Sequence, residues 1–272
     1  MIPAAVDYLR AETLDEALAA LEQPEAKALS GGQSLISVLK LRVVRPSVLV
    51  DLGDLDFRGI ALDGELHIGA LAVWRELTEA PELCRPALAA IEECASGIGD
   101  LQVRNRGTVG GSLAHADPAS DFPAVAIALG AYFVVRSTQG ERTVPASEFF
   151  HGPFLTALAP NELLTGVVVP VPPPGSGSAY VSVEHPASGF ALAGAAAVAY
   201  PDGARSLALT GIAGAPVALT LPDDLEAGLA EIDVFGDSFA SEGYRRHLAA
   251  VVARRALSLA ETRREEDERW TA

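Results

Sequence analysis

The sequence predicts an α+β chain with a break between residues 172 and 178. Three observations carry that expectation. Helix and strand signals alternate along the first part of the chain. A Pro/Gly/Ser segment, Pro172-Pro173-Pro174-Gly175-Ser176-Gly177-Ser178, then interrupts them. Beyond it come three strand-like runs followed by helical periodicity. At 272 residues the length suits two modest domains or one large one.

Thr13 and Glu16 form a capping box ahead of Leu14, Ala17, Leu18 and Leu21, so an amphipathic helix is expected up to Gln23, with Pro24 ending it. Residues 26–29 read as a short strand, 36–41 as a helix and 47–51 as a buried strand. Asp63-Gly64 between two alternating runs, 60–62 and 66–68, predicts a hairpin with a type I′ turn. Helices are expected around 73–78 and 86–94. Residues 97–115 show no clean periodicity and read as a long loop, the kind that often carries function. Residues 123–129 are helical and apolar, and 132–136 should pair with 142–144. After the break, 179–184, 191–200 and 206–212 read as three antiparallel strands. Helices are expected near 223–230 and 244–261, with a mixed-charge, solvated end at 261–269.

Composition excludes several functions. The formal net charge of −16 argues against a nucleic-acid partner, which needs clustered Lys and Arg. Two cysteines, Cys84 and Cys94, are too few for an iron–sulfur cluster within the chain or for a disulfide scaffold. The five histidines show no metal-ligand spacing, so no metal site is expected. The first residues lack a basic, then apolar, leader pattern, and the longest apolar runs are too short to span a bilayer; a cytoplasmic location is the expectation. No paired-carboxylate or Ser/His/Asp arrangement stands out, so no catalytic residue is assigned.

Two glycine-bearing turns carry the chemistry: Ser30-Gly31-Gly32-Gln33-Ser34-Leu35 and Thr108-Val109-Gly110-Gly111-Ser112. Each Gly-Gly pair lets backbone N–H groups approach an anion. Together they suggest two loops closing on one diphosphate, such as that of a flavin nucleotide. The first lies between a strand and a helix, as phosphate sites do, but lacks the Lys of a P-loop and the third glycine of a dinucleotide fingerprint. Downstream, Asp121 either accepts bonds from ribityl hydroxyls or caps the next helix, and Asp117 bonds a polar group or stabilises the turn before Pro118. Arg104 and Arg106 either neutralise a diphosphate or pair with surface carboxylates.

These segments resemble the FAD-binding medium subunit of molybdenum hydroxylases, the carbon monoxide dehydrogenase and xanthine dehydrogenase family. Residues 30–41 (SGGQSLISVLKL) and 104–121 (RNRGTVGGSLAHADPASD) are similar to its two FAD loops. His185-Pro186-Ala187-Ser188-Gly189-Phe190 and Tyr244-Arg245-Arg246-His247-Leu248 are similar to segments of its C-terminal domain. The resemblance implies a two-subdomain FAD-binding fold of the vanillyl-alcohol-oxidase/PCMH type over residues 1–171 (about 1–54 and 55–171). A C-terminal domain, 178–272, of three antiparallel strands and a helical bundle would follow. It implies FAD held by Ser30, Gly31, Gly32, Gln33, Ser34 and Leu35 on one side and Thr108, Gly110, Gly111 and Ser112 on the other. Asp121 would take the ribityl chain, Asp117 would lie nearby, and Leu163 and Phe190 would lie near the isoalloxazine; Phe190 is alternatively a core residue.

The implied partners are a large subunit with a molybdopterin cofactor and a small subunit with two [2Fe–2S] clusters, as a dimer of heterotrimers. This chain would take electrons from the clusters and pass them to NAD, quinone or oxygen. Ser182 stands where relatives often carry Lys, and Glu184 where a basic residue is common; losing a cation there would destabilise an anionic reduced flavin and lower its potential. Two rival readings are a self-contained FAD-dependent oxidase or reductase, for which His185 is the only nearby base, and a scaffold that has lost FAD.

Overall fold

The computed structural model describes residues 2–219 and 225–271, with side chains described to residue 266. The first unit is a parallel βαβαβ run: β1 (Asp7–Arg10), α1 (Leu14–Leu21), β2 (Lys27–Leu29), α2 (Leu35–Lys40) and β3 (Val48–Asp51). β3 lies between β1 and β2. Thr13 caps α1 as expected, with Glu16 N donating to Thr13 Oγ1 at 3.2 Å; the Glu16 carboxylate accepts from Glu12 N at 2.8 Å, one residue before the N–H a capping box would use. The apolar face of α1 packs with Val50 and Leu52, and Leu71 and Leu163 of the next unit join this core.

The second unit begins with β4 (Ile60–Asp63) and β5 (Glu65–Gly69), followed by α3 (Trp74–Glu79), α4 (Ala89–Gly97), α5 (Leu101–Arg104), α6 (Val109–His115) and α7 (Phe122–Ala128). Then come β6 (Tyr132–Ser137), β7 (Gly140–Pro145), the small hairpin β8 (Phe150–Gly152) and β9 (Leu155–Thr156), and β10 (Leu163–Pro170). Five of these strands make an antiparallel sheet in the order β4-β5-β10-β6-β7. Two expectations are corrected. In the β4–β5 turn only Gly64 has positive φ (+73°), and Asp63 does not, so the turn is not type I′. The stretch read as a loop contains α5 and α6; each is too short for a 3.6-residue period to show in sequence.

The third unit is a four-stranded antiparallel sheet, β11 (Gly177–Glu184), β12 (Ala191–Ala199), β13 (Arg205–Thr210) and β14 (Val217–Leu219), one strand more than the sequence indicated. The expected helix start at 223 lies outside the described residues; α8 spans Leu225–Ala230. α9 runs from Glu242 to Thr271, so the mixed-charge end continues the helix. β12, Ala-Leu-Ala-Gly-Ala-Ala-Ala-Val-Ala, is buried along its whole length. Its small side chains let helices approach both faces: Ala196 and Val198 join the core of α4 and α7, while Ala195 and Ala197 meet Val252, Ala253 and Ala256 of α9. No described helix is long and apolar enough to cross a membrane.

One cation fastens α9 to this sheet. The Arg245 guanidinium, 4% exposed, donates to Leu192 O (2.8 Å) and Gly211 O (2.5 Å), pairs with Asp237 (2.6 Å) and lies 4.6 Å over the Phe235 ring. It is a structural residue. Arg245→Leu leaves two buried carbonyls without a donor and is expected to cost about 3 kcal/mol, measured by urea unfolding of the full chain.

Candidate functional site

The first glycine turn leaves the C-terminal end of β2 and opens α2. Gly32 is in the left-handed region, φ +74°. Among the described residues, no hydrogen bond takes up the backbone N–H groups of Gly31, Gly32, Gln33, Ser34 or Leu35. Ser34 stands at the N-cap position of α2 without a capping bond, so its hydroxyl is also available. Five consecutive free donors at a turn before a helix are an anion-binding concavity.

The second turn is built differently. Val109 N and Gly110 N donate to Ala72 O and Ala70 O (2.9 and 2.8 Å), Gly111 N to Thr108 Oγ1 (3.1 Å) and Ser112 N to Thr108 O (3.0 Å). Its backbone donors are spent within the protein. The expectation that both glycine pairs open N–H groups to a ligand is therefore corrected: the second offers the hydroxyls of Thr108 and Ser112. Its glycines make room for protein instead. A Cβ on Gly111 would lie 2.7 Å from both Ser30 Oγ and Thr108 Oγ1, and one on Gly110 2.5 Å from Ala70 Cβ.

The two turns touch. Ser30 Oγ and Thr108 Oγ1 are 3.0 Å apart, and a Cβ on Gly31 would overlap the Arg106 carbonyl. Arg104 donates to Ile98 O and Gly99 O, at 3.1 and 2.8 Å, and enters no ion pair among the described residues, so of its two alternatives the surface carboxylate is not met. Arg106 is exposed beside the junction and enters no ion pair among the described residues. In a chain of net charge −16, an exposed guanidinium without an ion pair, on the loop whose backbone meets the first turn, favours an anion nearby.

Beyond α6, Ser112 Oγ meets Ser120 Oγ at 3.0 Å. Asp117 Oδ1 accepts from Ala119 N at 2.9 Å, the turn-stabilising role. Asp121 precedes α7 without capping it; its Oδ1 instead accepts from the Tyr180 hydroxyl of β11. Burial pushes the Asp121 carboxyl up to about 6; the Tyr180 bond opposes this, and Glu184 adds repulsion. Tyr180, Ser182 and Glu184 alternate along β11 and so share the face that meets Asp121.

Phe190 is 47% exposed at the β11–β12 tip, which is closed by His185 N donating to Phe190 O (2.8 Å); it is not a core residue. Leu163 is 5% exposed and packed with Leu71 and Leu52, so it shows little surface to any ligand. His185 faces Phe239 (ring centroids 4.5 Å apart), and its Nδ1 is engaged within the tip by Ala187 N and Ser188 Oγ, each at 3.3 Å. Sequence reasoning missed Tyr180 and Thr210, which donates to Ser120 O at 2.6 Å. The period-2 alternation of 180, 182 and 184 was the available signal for the first; nothing marked the second.

Comparison with known proteins gives the chain's family. A family profile described as the FAD binding domain in molybdopterin dehydrogenase matches residues 4–172. The chain is 37% identical to the carbon monoxide dehydrogenase medium chain of Hydrogenophaga pseudoflava, over 93% of this chain and 88% of that one. It is 36% identical to the glyceraldehyde dehydrogenase medium chain of Sulfolobus acidocaldarius, over 94% and 99%. A solved carbon monoxide dehydrogenase from Hydrogenophaga pseudoflava, lacking the Mo-pyranopterin moiety of its molybdenum cofactor, superposes with a TM-score of 0.91 at 33% identity, covering 97% of this chain and 99% of that one.

The contact between the turns is directly testable. Gly31→Ala or Gly111→Val drives the two loops apart and is expected to weaken FAD binding by roughly 2 kcal/mol or more. FAD titration of a folded variant checks this; unchanged affinity would remove the contact from the site.

Proposed function

Because this chain belongs to the family of FAD-binding domains of molybdopterin dehydrogenases, we propose that it is the electron-transfer subunit of its complex, taking electrons from a [2Fe–2S] subunit and passing them to NAD, quinone or oxygen. It is an FAD-binding oxidoreductase subunit of the molybdenum hydroxylase type. The observation that carries the reading is the row of five free N–H groups from Gly31 to Leu35, closed off by a second turn whose own donors are spent.

The residues fit the cofactor. The N–H groups of residues 31–35 and the Ser34 hydroxyl would bind the diphosphate from one side. Thr108 and Ser112 would offer hydroxyls from the other, where Gly110 and Gly111 leave space for the loops to meet. Arg106 would offset the diphosphate charge. Asp121 would accept from the ribityl chain, with Asp117 holding the turn before it. Phe190 would flank the ring system, and Leu163 would lie near it with its side chain held in the core. FAD, when bound, supplies the electron chemistry, and the chain's residues bind and orient it. We take residues 1–171 as the FAD-binding part, in two subdomains near 1–54 and 55–171, and 178–272 as the C-terminal domain.

The partners proposed are a large subunit carrying the molybdopterin cofactor, where substrate is oxidised, and a small subunit carrying two [2Fe–2S] clusters, in a dimer of heterotrimers. A cytoplasmic location belongs to the same proposal. The test is the visible spectrum of the purified chain, alone and co-expressed with the products of neighbouring reading frames. Flavin bands bleached by dithionite in the lone chain, with iron–sulfur absorbance added in a co-purifying complex, are expected. A yellow chain that stays single and turns over a small substrate would overturn the subunit reading.

Charge gives a second test. Arg106→Glu is expected to weaken FAD binding by about 1–2 kcal/mol, an effect that shrinks as salt is added. Fluorescence titration at two ionic strengths measures it.

A further inference from the structure

We propose that Tyr180 is a positioning residue for the FAD site: its hydroxyl holds the Asp121 carboxylate, which makes the C-terminal sheet part of the cofactor pocket. The inference rests on the reading of Asp121 as a cofactor ligand. Its geometry is independent of that reading. Tyr180 reaches Asp121 from β11 while only 8% exposed. β12 interrupts its alanine run with a glycine at the place this requires, because a Cβ on Gly194 would overlap the Tyr180 hydroxyl. Gly194 is paired in register with Thr210 of β13. Thr210 Oγ1 lies 2.6 Å from Ser120 O and 3.2 Å from Pro118 O, and Gly211 N donates to Pro118 O at 3.0 Å. Two strands, β11 and β13, thus address one turn, residues 118–121, and β12 between them leaves the room.

The carboxylate is half spoken for. Oδ1 takes the Tyr180 bond, and no hydrogen bond among the described residues goes to Oδ2. The groups around it are Tyr180 and Glu184 from β11, Asp117 from its own turn and Cys94 from α4; behind Cys94 lies Glu93, paired with Arg263 of α9. No cation faces Asp121 directly among these, so its charged form is favoured by the Tyr180 hydroxyl first and by its own backbone N–H second. Burial and Glu184 act the other way.

The sign follows. A ligand hydroxyl donating to Asp121 binds the charged form, so affinity is full above the carboxyl's pKa and falls as pH drops through it. Removing the Tyr180 donor raises that pKa and moves the fall to higher pH.

The experiment is FAD titration of the full chain, or of the complex it purifies in, between about pH 5 and about pH 8, for the wild type, Tyr180→Phe and Asp121→Asn. For Tyr180→Phe the expected result is affinity about tenfold weaker near neutrality, with the pH midpoint moved upward. For Asp121→Asn it is a response flat in pH, which stands as the test should Tyr180→Phe not fold. A folded Tyr180→Phe protein with the wild-type midpoint overturns the inference and leaves the FAD reading intact, as does an Asp121→Asn protein that keeps the wild-type pH response. A wild-type chain that binds no FAD overturns the FAD reading, and this inference with it.

Discussion

The site depends on a peptide carbonyl occupying the space where a side chain would be. Arg106 O sits against Gly31 so closely that any Cβ there would overlap it. The two residues belong to separate units, one at the end of a parallel strand and one between two short helices beside the antiparallel sheet. Their contact joins those units into one ligand-binding surface, and the Ser30–Thr108 hydroxyl pair closes the seam. The two turns carry unequal donors. α6 uses its N–H groups on Ala70, Ala72 and Thr108, while the row at Gly31–Leu35 meets no acceptor among the described residues. These donors lie on half-buried to exposed residues and are open to an external acceptor, water or a bound anion. A diphosphate fills that place without a Lys, which matters in so acidic a chain.

The C-terminal sheet is held from both sides by small residues. Fully buried β12 is mostly alanine, so α9 can lie on one face while α4 and α7 lie on the other. A Cβ on Gly177 would crowd Ala260 O and lie 2.6 Å from Arg264 N, a measure of how near α9 approaches β11. Glu93 ties three elements at one carboxylate: it accepts from Tyr180 N of β11 at 2.9 Å and from Arg263 of α9 at 2.5 Å, while itself lying on α4. With Arg245 on the opposite face, these contacts leave the sheet little freedom to slide. A side chain such as Tyr180 can then place a hydroxyl with the accuracy a cofactor ligand demands.

Much of this was legible before any coordinates. The helix cap at Thr13, the strand entering the first turn and the proline-rich break all rest on local chemistry, and local chemistry reads well from sequence. The two loops were legible as a pair because glycine and hydroxyl residues are rare in that density. What escaped was whatever depended on a distant partner. Gly31 reads as an open turn until the Arg106 carbonyl is placed beside it. Asp121 reads as a helix cap until Tyr180, 59 residues on, takes its oxygen. β14, three residues long, and α5, four, are too short to declare a period. Phe190 looked as suited to a core as to a surface, because an aromatic residue alone does not say which way a hairpin tip points.

The charge around the flavin end bears on which acceptor this subunit serves. Asp117 and Glu184 both act on Asp121, and β11 places the uncharged Ser182 between Tyr180 and Glu184. Negative charge building up on a reduced flavin beside carboxylates is opposed by them, and no lysine offsets it. The opposition is strongest where burial lowers the effective dielectric. On the proposed function, the bound flavin would then be the more reducing for it, handing electrons on readily and drawing them less readily from the clusters. Tyr180 sustains this opposition, because its hydroxyl stabilises the Asp121 charge without neutralising it. A proton on Asp121 would do the neutralising, and burial has brought that proton within reach, at a pKa of about 6. On the proposed function, protonation and electron flow would be coupled through one half-buried carboxylate set between a tyrosine and a glutamate.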